Sequence, residues 1–231
     1  MTAFAASPIF RRGPVATAAA ATINVPGNFP TIQQAVNAAA PGDTIVVAAG
    51  GYVGPVNVNK SLTIGGANSG VAGTAARGPE SILSGGGFTI SASNVVINGF
   101  TVQNEVNGAG VTIAAGTSGV QVINNIIQNN VIGVYPQGTG PVISNNLIRN
   151  NTQPGGASGS GVYIGESSLT GATFNANRFE GNPTAAINLT GGFGCPSVPP
   201  ITHTGIVITN NQIIAEAGIG LAHTNGATIS G

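Results

Sequence analysis

The sequence predicts an all-β fold: a single-domain parallel β-helix with a short capping helix near its N-terminal end. Three observations carry this. Charged residues make up only 5% of the 231-residue chain, against about 25% in an average soluble domain. Gly is abundant (37 residues), Trp is absent and 42% of residues are hydrophobic, so short aliphatic runs alternate with turn residues as strands do and disordered chains do not. Finally, VINNIIQNN at 122–130 returns as ISNNLIRNN at 143–151. Asparagine is a poor strand former and costly to bury, so its repeated pairing inside aliphatic stretches needs an architecture in which amides satisfy one another.

The chain divides into an arm (1–22), a strand and capping helix (23–43) and a long β region (44–231). In the arm, Arg11 and Arg12 follow MTAFAASPIF rather than precede an apolar core, which is the wrong order for a secretory signal. The arm reads as a flexible leader or a remnant of processing, with docking on a neighbouring subunit as the sharper alternative. After it, Thr31 is a suitable N-cap, Ile32, Ala35, Val36 and Ala39 share one helical face, and Pro41-Gly42 stops the helix. A short amphipathic helix in this place suits a lid over the open end of a solenoid.

From residue 90 onward the repeat can be aligned on Phe100, Asn125, Asn146, Asn177 and Asn211, at intervals of 25, 21, 31 and 34 residues. Three residues earlier stand Ile97, Val122, Ile143, Phe174 and Ile208, and two residues later Val102, Ile127, Ile148, Phe179 and Ile213. A second apolar segment follows each turn: GVTI, GVYP, GVYI, AINL and GIGL. Coils of this length with loops of varying size fit a parallel β-helix and lack the leucine-rich pattern. Stacked coils lie about 4.8 Å apart, so equivalent residues form columns. An inward Asn at a bend can donate to one neighbour and accept from the other. Asn125, Asn146, Asn177 and Asn211 are therefore predicted to form a ladder ended by Phe100. The trailing Asn129-Asn130, Asn150-Asn151 and Asn182 are read as solvent-facing turns.

These coils resemble the right-handed parallel β-helix repeats of the pectate-lyase-like superfamily. The opening FPTIQQAVNAAAPGDTIVVAAGGY looks like the N-terminal cap region of pectin methylesterases. The resemblance covers roughly residues 23–230 and implies the fold, but a fold shared by lyases, hydrolases, esterases and adhesins does not imply an activity. It implies calcium-binding Asp and Glu clusters with an Arg base in pectate lyases, paired Asp in polygalacturonase-like hydrolases, and Asp with Arg in pectin methylesterases. This chain has one Asp, Asp43, and five scattered glutamates, Glu80, Glu105, Glu166, Glu180 and Glu216.

The best remaining catalytic candidates are Tyr163, Glu166, Arg178 and His203, a set suited to calcium-independent β-elimination or glycoside hydrolysis if the chain is an enzyme. The competing expectation is that Arg178 pairs locally with Glu166 or Glu180 on the surface. His203 and His223 are too far apart in sequence to suggest a metal site, and no metal or cofactor is expected. Outward positions of the second apolar segment are Thr112, Tyr135, Tyr163, Asn188 and Gly220, which makes Tyr135 and Tyr163 a small aromatic platform for carbohydrate. A regular Thr-x-Thr array for ice binding is lacking.

With six basic and six acidic side chains, no cationic track for nucleic acid is expected. No apolar run reaches the ~20 residues of a membrane span. Cys195 reads as a free thiol, with a cross-link between subunits as the alternative. The final GIGLAHTNGATISG carries no proline or charged cap, so Ile219, Leu221 and Ile229 are expected to meet another copy end to end. The resulting expectation is a non-catalytic extracellular or cell-surface module that self-assembles as a filament or surface layer. A carbohydrate-binding or carbohydrate-cleaving β-helix is the alternative.

Overall fold

Each coil of the chain follows one path. The strand Gln121–Ile123 turns at Asn124-Asn125 into Ile126–Gln128, turns again at Asn129-Asn130 into Ile132–Pro136, and loops over to Val142–Ser144 one coil further on. The computed structural model describes residues 19–165, 167–190 and 201–231. Glu166, Cys195 and most of the 1–22 arm lie outside the described residues. Among the described residues the path builds three parallel sheets of nine, seven and seven strands. The sequence repeat showed two apolar segments per coil. The structure has three strands, because the aligned Asn column breaks the first segment at a corner.

The inward columns form the core. On the first sheet Val122 lies beside Ile143, Ile143 beside Phe174 and Phe174 beside Ile208. On the second, Val102, Ile127, Ile148, Phe179 and Ile213 follow in register. On the third, Val111, Val134, Val162, Ile187 and Ile219 do the same. One continuous apolar cluster runs from Val25 to Ile208. Stacking like on like at each coil suits β-branched side chains, which pack well on a pleated surface.

The paired asparagines divide their work. The first of each pair, Asn124 or Asn145, adopts φ of 58° or 56°, a left-handed conformation that Asn tolerates better than most residues. The second points inward. Asn146 Nδ2 donates to Val122 O at 2.8 Å and to Asn177 Oδ1 at 3.0 Å. Its Oδ1 accepts from both the backbone N and Nδ2 of Asn125, at 2.8 and 3.2 Å. Asn177 and Asn211 continue the ladder. At its start Phe100 N donates to Asn125 Oδ1 at 2.9 Å, and the Phe100 ring meets Phe88 edge-on at 5.3 Å.

The trailing asparagines correct the sequence reading. Asn130, Asn151 and Asn182 are fully buried and form a second ladder at the second corner. Asn130 Nδ2 donates to Asn151 Oδ1 at 3.0 Å, and Asn151 Nδ2 donates to Asn182 Oδ1 at 3.0 Å. Asn129 and Asn150 take the left-handed conformation before them, with φ of 56° and 51°. Glu105 opens this ladder through its backbone N, which donates to Asn130 Oδ1. Glu216 closes it by accepting from Asn182 N and Nδ2.

The helix Ile32–Ala38 covers the N-terminal coils with Ile32, Ala35 and Val36, and the Thr31 side chain accepts from Gln34 N. Three carbonyls near its C-terminal end, those of Val36, Asn37 and Ala39, accept from Lys60 Nζ at 2.7–3.1 Å. Asp43 accepts from Ala21 N and Ala40 N at 2.7 and 2.8 Å, which ties the strand Thr22–Val25 to the turn after the helix. These two backbone donors, helped by Lys60, hold its carboxyl below the ordinary value against a smaller opposing effect of burial.

Candidate functional site

The outward column of the third sheet runs Asn57, Thr89, Thr112 and Tyr135 in register, then Tyr163, Asn188 and Gly220. Strand alternation explains it: Val134 and Pro136 face the core while Tyr135 between them is half exposed, and Val162 and Ile164 do the same around Tyr163. The two tyrosine rings stack with centroids 6.0 Å apart and planes 15° from parallel. One face of each ring is therefore turned to the other. A ligand meets the remaining faces, the ring edges and the hydroxyls.

Polar and apolar neighbours frame the pair. Gln137 Nε2 donates to Tyr135 Oη at 3.3 Å and to Ser167 Oγ at 3.2 Å. On the strand-entry side Ala109, Val131 and Ile132 form a small apolar cluster, joined by Ala157 and both tyrosines. Beyond Gln137, Ser118, Thr139, Thr170 and Thr204 stand in bridged register from coil to coil, the first three exposed and Thr204 half buried. This hydroxyl row, which the sequence reading missed, lies in the loops that lead from the third sheet to the first. Its signal in the sequence is a Ser or Thr just before a Gly at each loop end, as in SG, TG, TG and TG at 118, 139, 170 and 204.

The described members of the proposed catalytic set fall on different elements. Tyr163 belongs to the third sheet and Arg178 to the second. Arg178 Nε and Nη2 bond Glu180 Oε2 at 2.8 and 2.7 Å, and Arg149 Nη1 lies 3.6 Å from Glu180 Oε1. His203 is fully buried in the short strand His203–Thr204, its Nδ1 accepting from Leu169 N and its Nε2 3.0 Å from Thr190 O. Both ring nitrogens are therefore used. Glu166 lies outside the described residues.

The other described carboxylates also have structural partners. Glu80 forms a bidentate pair with Arg77, whose Nη1 also donates to Asn124 O across the coils. Glu105 accepts from Gly87 N and Asn107 N. Among the described residues there is no group of three or more His, Cys, Asp or Glu that could hold a metal. No described helix is long and apolar enough to cross a membrane. At the last coil Ile219 and Leu221 are half buried and pack on the core, whereas Ile229 is 56% exposed.

A family profile described as right handed beta helix region matches residues 59–198. The chain belongs to the right-handed β-helix family. Solved structures with the same fold include two polysaccharide lyases. Pectate lyase Pel9A superposes with a TM-score of 0.63 at 17% identity, over 92% of this chain and 61% of the lyase. An alginate lyase from Paenibacillus sp. str. FPU-7 superposes with a TM-score of 0.52 at 15% identity, over 89% of this chain and 99% of the lyase. A pectin methylesterase from Aspergillus niger gives 0.49 at 12% identity, over 93% and 91% of the two chains. At these identities the likeness concerns this β-helix as a fold. Among curated proteins no relative matches it.

Proposed function

We propose that this β-helix is an extracellular or cell-surface polysaccharide-binding protein that holds its ligand along the outward face of the third sheet without cleaving it. The observation that carries this reading is the Tyr135–Tyr163 stack, flanked in register by Thr112 and Asn188 and beside Gln137. Aromatic rings beside hydrogen-bonding side chains match a sugar, whose apolar C–H faces alternate with hydroxyls. Binding is favoured over catalysis because the described carboxylates, Asp43, Glu80, Glu105, Glu180 and Glu216, each already have a hydrogen-bond or ion-pair partner. The polysaccharide-active enzymes among the structural neighbours add fold-level support only. Replacing Tyr135 and Tyr163 together by Ala should abolish retention on immobilised polysaccharides with an unchanged far-UV spectrum. Retention by the double variant would place binding elsewhere.

A further inference from the structure

We infer that the polysaccharide held on the third-sheet face is uncharged, in contrast to the alginate and pectate named for the two lyases of similar fold. The inference rests on the binding reading above and deepens it. A uronate chain carries about one carboxylate per sugar, and a carboxylate taken out of water without a cationic or hydrogen-bonding partner is strongly disfavoured. The described cations are all committed elsewhere. Lys60 is held by carbonyls near the end of the capping helix, and Arg77 lies beneath its own loop with a side chain only 4% exposed. Arg149 and Arg178 lie on the second sheet, both against Glu180.

Among the described residues, what the third-sheet outward column presents is neutral. The column is Asn57, Thr89, Thr112, Tyr135, Tyr163, Asn188 and Gly220. Gln137 and Ser167 stand beside the rings, and the Ser118–Thr139–Thr170–Thr204 row continues the same chemistry. Amides and hydroxyls both donate and accept, which matches sugar hydroxyls and supplies no counter-charge.

The test uses the full chain in native affinity gels containing xyloglucan, galactomannan or mixed-linkage β-glucan as neutral polymers, and polygalacturonate or alginate as uronate polymers, at low and high salt. The wild type should be retarded by a neutral polymer equally at both salt levels, because no ion pair is there to be screened. Tyr135→Ala alone should weaken that retardation by about tenfold in apparent Kd, near 1.4 kcal/mol. Thr112→Lys, which places a cation beside Tyr135, should confer a salt-sensitive retardation by polygalacturonate that the wild type lacks. Retardation of the wild type by a uronate polymer, lost in Tyr135→Ala, would overturn the neutral class and leave the site standing. Retardation by no polymer, or retardation indifferent to both tyrosines, would overturn the site and the class together.

Discussion

At the first corner of the coil, Asn125, Asn146, Asn177 and Asn211 stack between Phe100 and the last coil; at the second, Asn130, Asn151 and Asn182 stack between two carboxylic acids, Glu105 and Glu216. The interior members are identical in kind because each must accept on its oxygen and donate from its nitrogen. The end members are relieved of half that duty. Phe100 and Glu105 give only a backbone N–H to the ladder, so their side chains are free to differ. Asn211 and Glu216 must accept from the residue before them, which an amide or a carboxylate oxygen can do. The comparison teaches that Asn is required where a position must both accept and donate, and that a position giving only its backbone N–H, as at Phe100 and Glu105, tolerates other side chains.

The largest effect should come from breaking a ladder at its middle. Asn146→Leu removes the acceptor of two Asn125 donors, takes the side-chain donor from Val122 O, and leaves Asn177 Oδ1 with only the backbone N–H of residue 146. Buried polar groups left unpaired cost about 1–3 kcal/mol each, with partial relaxation, so a loss of about 3 kcal/mol in unfolding free energy is expected from denaturant titration. Asn151→Leu should cost nearly as much, since Asn151 is equally buried and makes the same set of bonds. A near-neutral Asn151→Leu beside a damaging Asn146→Leu would break the equivalence of the two corners.

The sequence disclosed the first ladder and concealed the second for a physical reason. Asn125, Asn146, Asn177 and Asn211 stand at fixed offsets from Val122, Ile143, Phe174 and Ile208, so the column aligns over four coils. At the second corner only Asn130, Asn151 and Asn182 share the type. Both ends are glutamates, and charged residues are normally taken as surface. The candidate site divides the same way. The outward position of Tyr135 and Tyr163 follows from strand alternation, but their stacking on each other depends on side-chain torsions that no period encodes. The burial of His203 is likewise not encoded in PPITHTG, whose composition is that of a loop, because two backbone partners from distant segments hold its ring inside.

A smaller effect distinguishes the left-handed residues that introduce each ladder position. Asn124, Asn145 and Asn210 adopt φ of 56–58°, but Ala176 occupies the equivalent place with φ 54°. Alanine lacks the short polar side chain that eases this conformation and pays about 1 kcal/mol for it. Ala176→Asn should therefore raise stability by about 0.5–1 kcal/mol, read as a higher Tm with unchanged cooperativity, and Ala176→Gly should do so less. The converse change, Asn145→Ala, should lower it by a similar amount. If both alanines prove neutral, the first residue of each pair is not selected for its backbone.

The smallest effect concerns the end of the second ladder and carries a pH signature. Asn130, Asn151 and Asn182 each send Nδ2 to a carbonyl of the preceding coil, those of Val102, Ile127 and Ile148. Glu216 has no nitrogen for that role, and its Oε2 is buried without a partner. Burial therefore raises its carboxyl above the ordinary value, although the Asn182 donors oppose the rise and Glu180 adds to it. Between the ordinary and the raised value the folded chain binds more protons than the unfolded one, so Glu216 lowers stability as pH rises through that window. Asp43 acts with the opposite sign: its lowered value contributes stability at neutral pH that is lost as pH falls through the acid range. Glu216→Gln keeps an acceptor for Asn182 and puts a donor where the ladder lacks one. Because Glu216 is only half buried, the gain at neutral pH should stay below about 1 kcal/mol. It should shrink toward zero as pH is lowered and the wild-type carboxyl takes up its proton. A gain that persists unchanged in acid would mean that Glu216 ionises freely and that the second ladder ends, as the first does, in a group at ease with its surroundings.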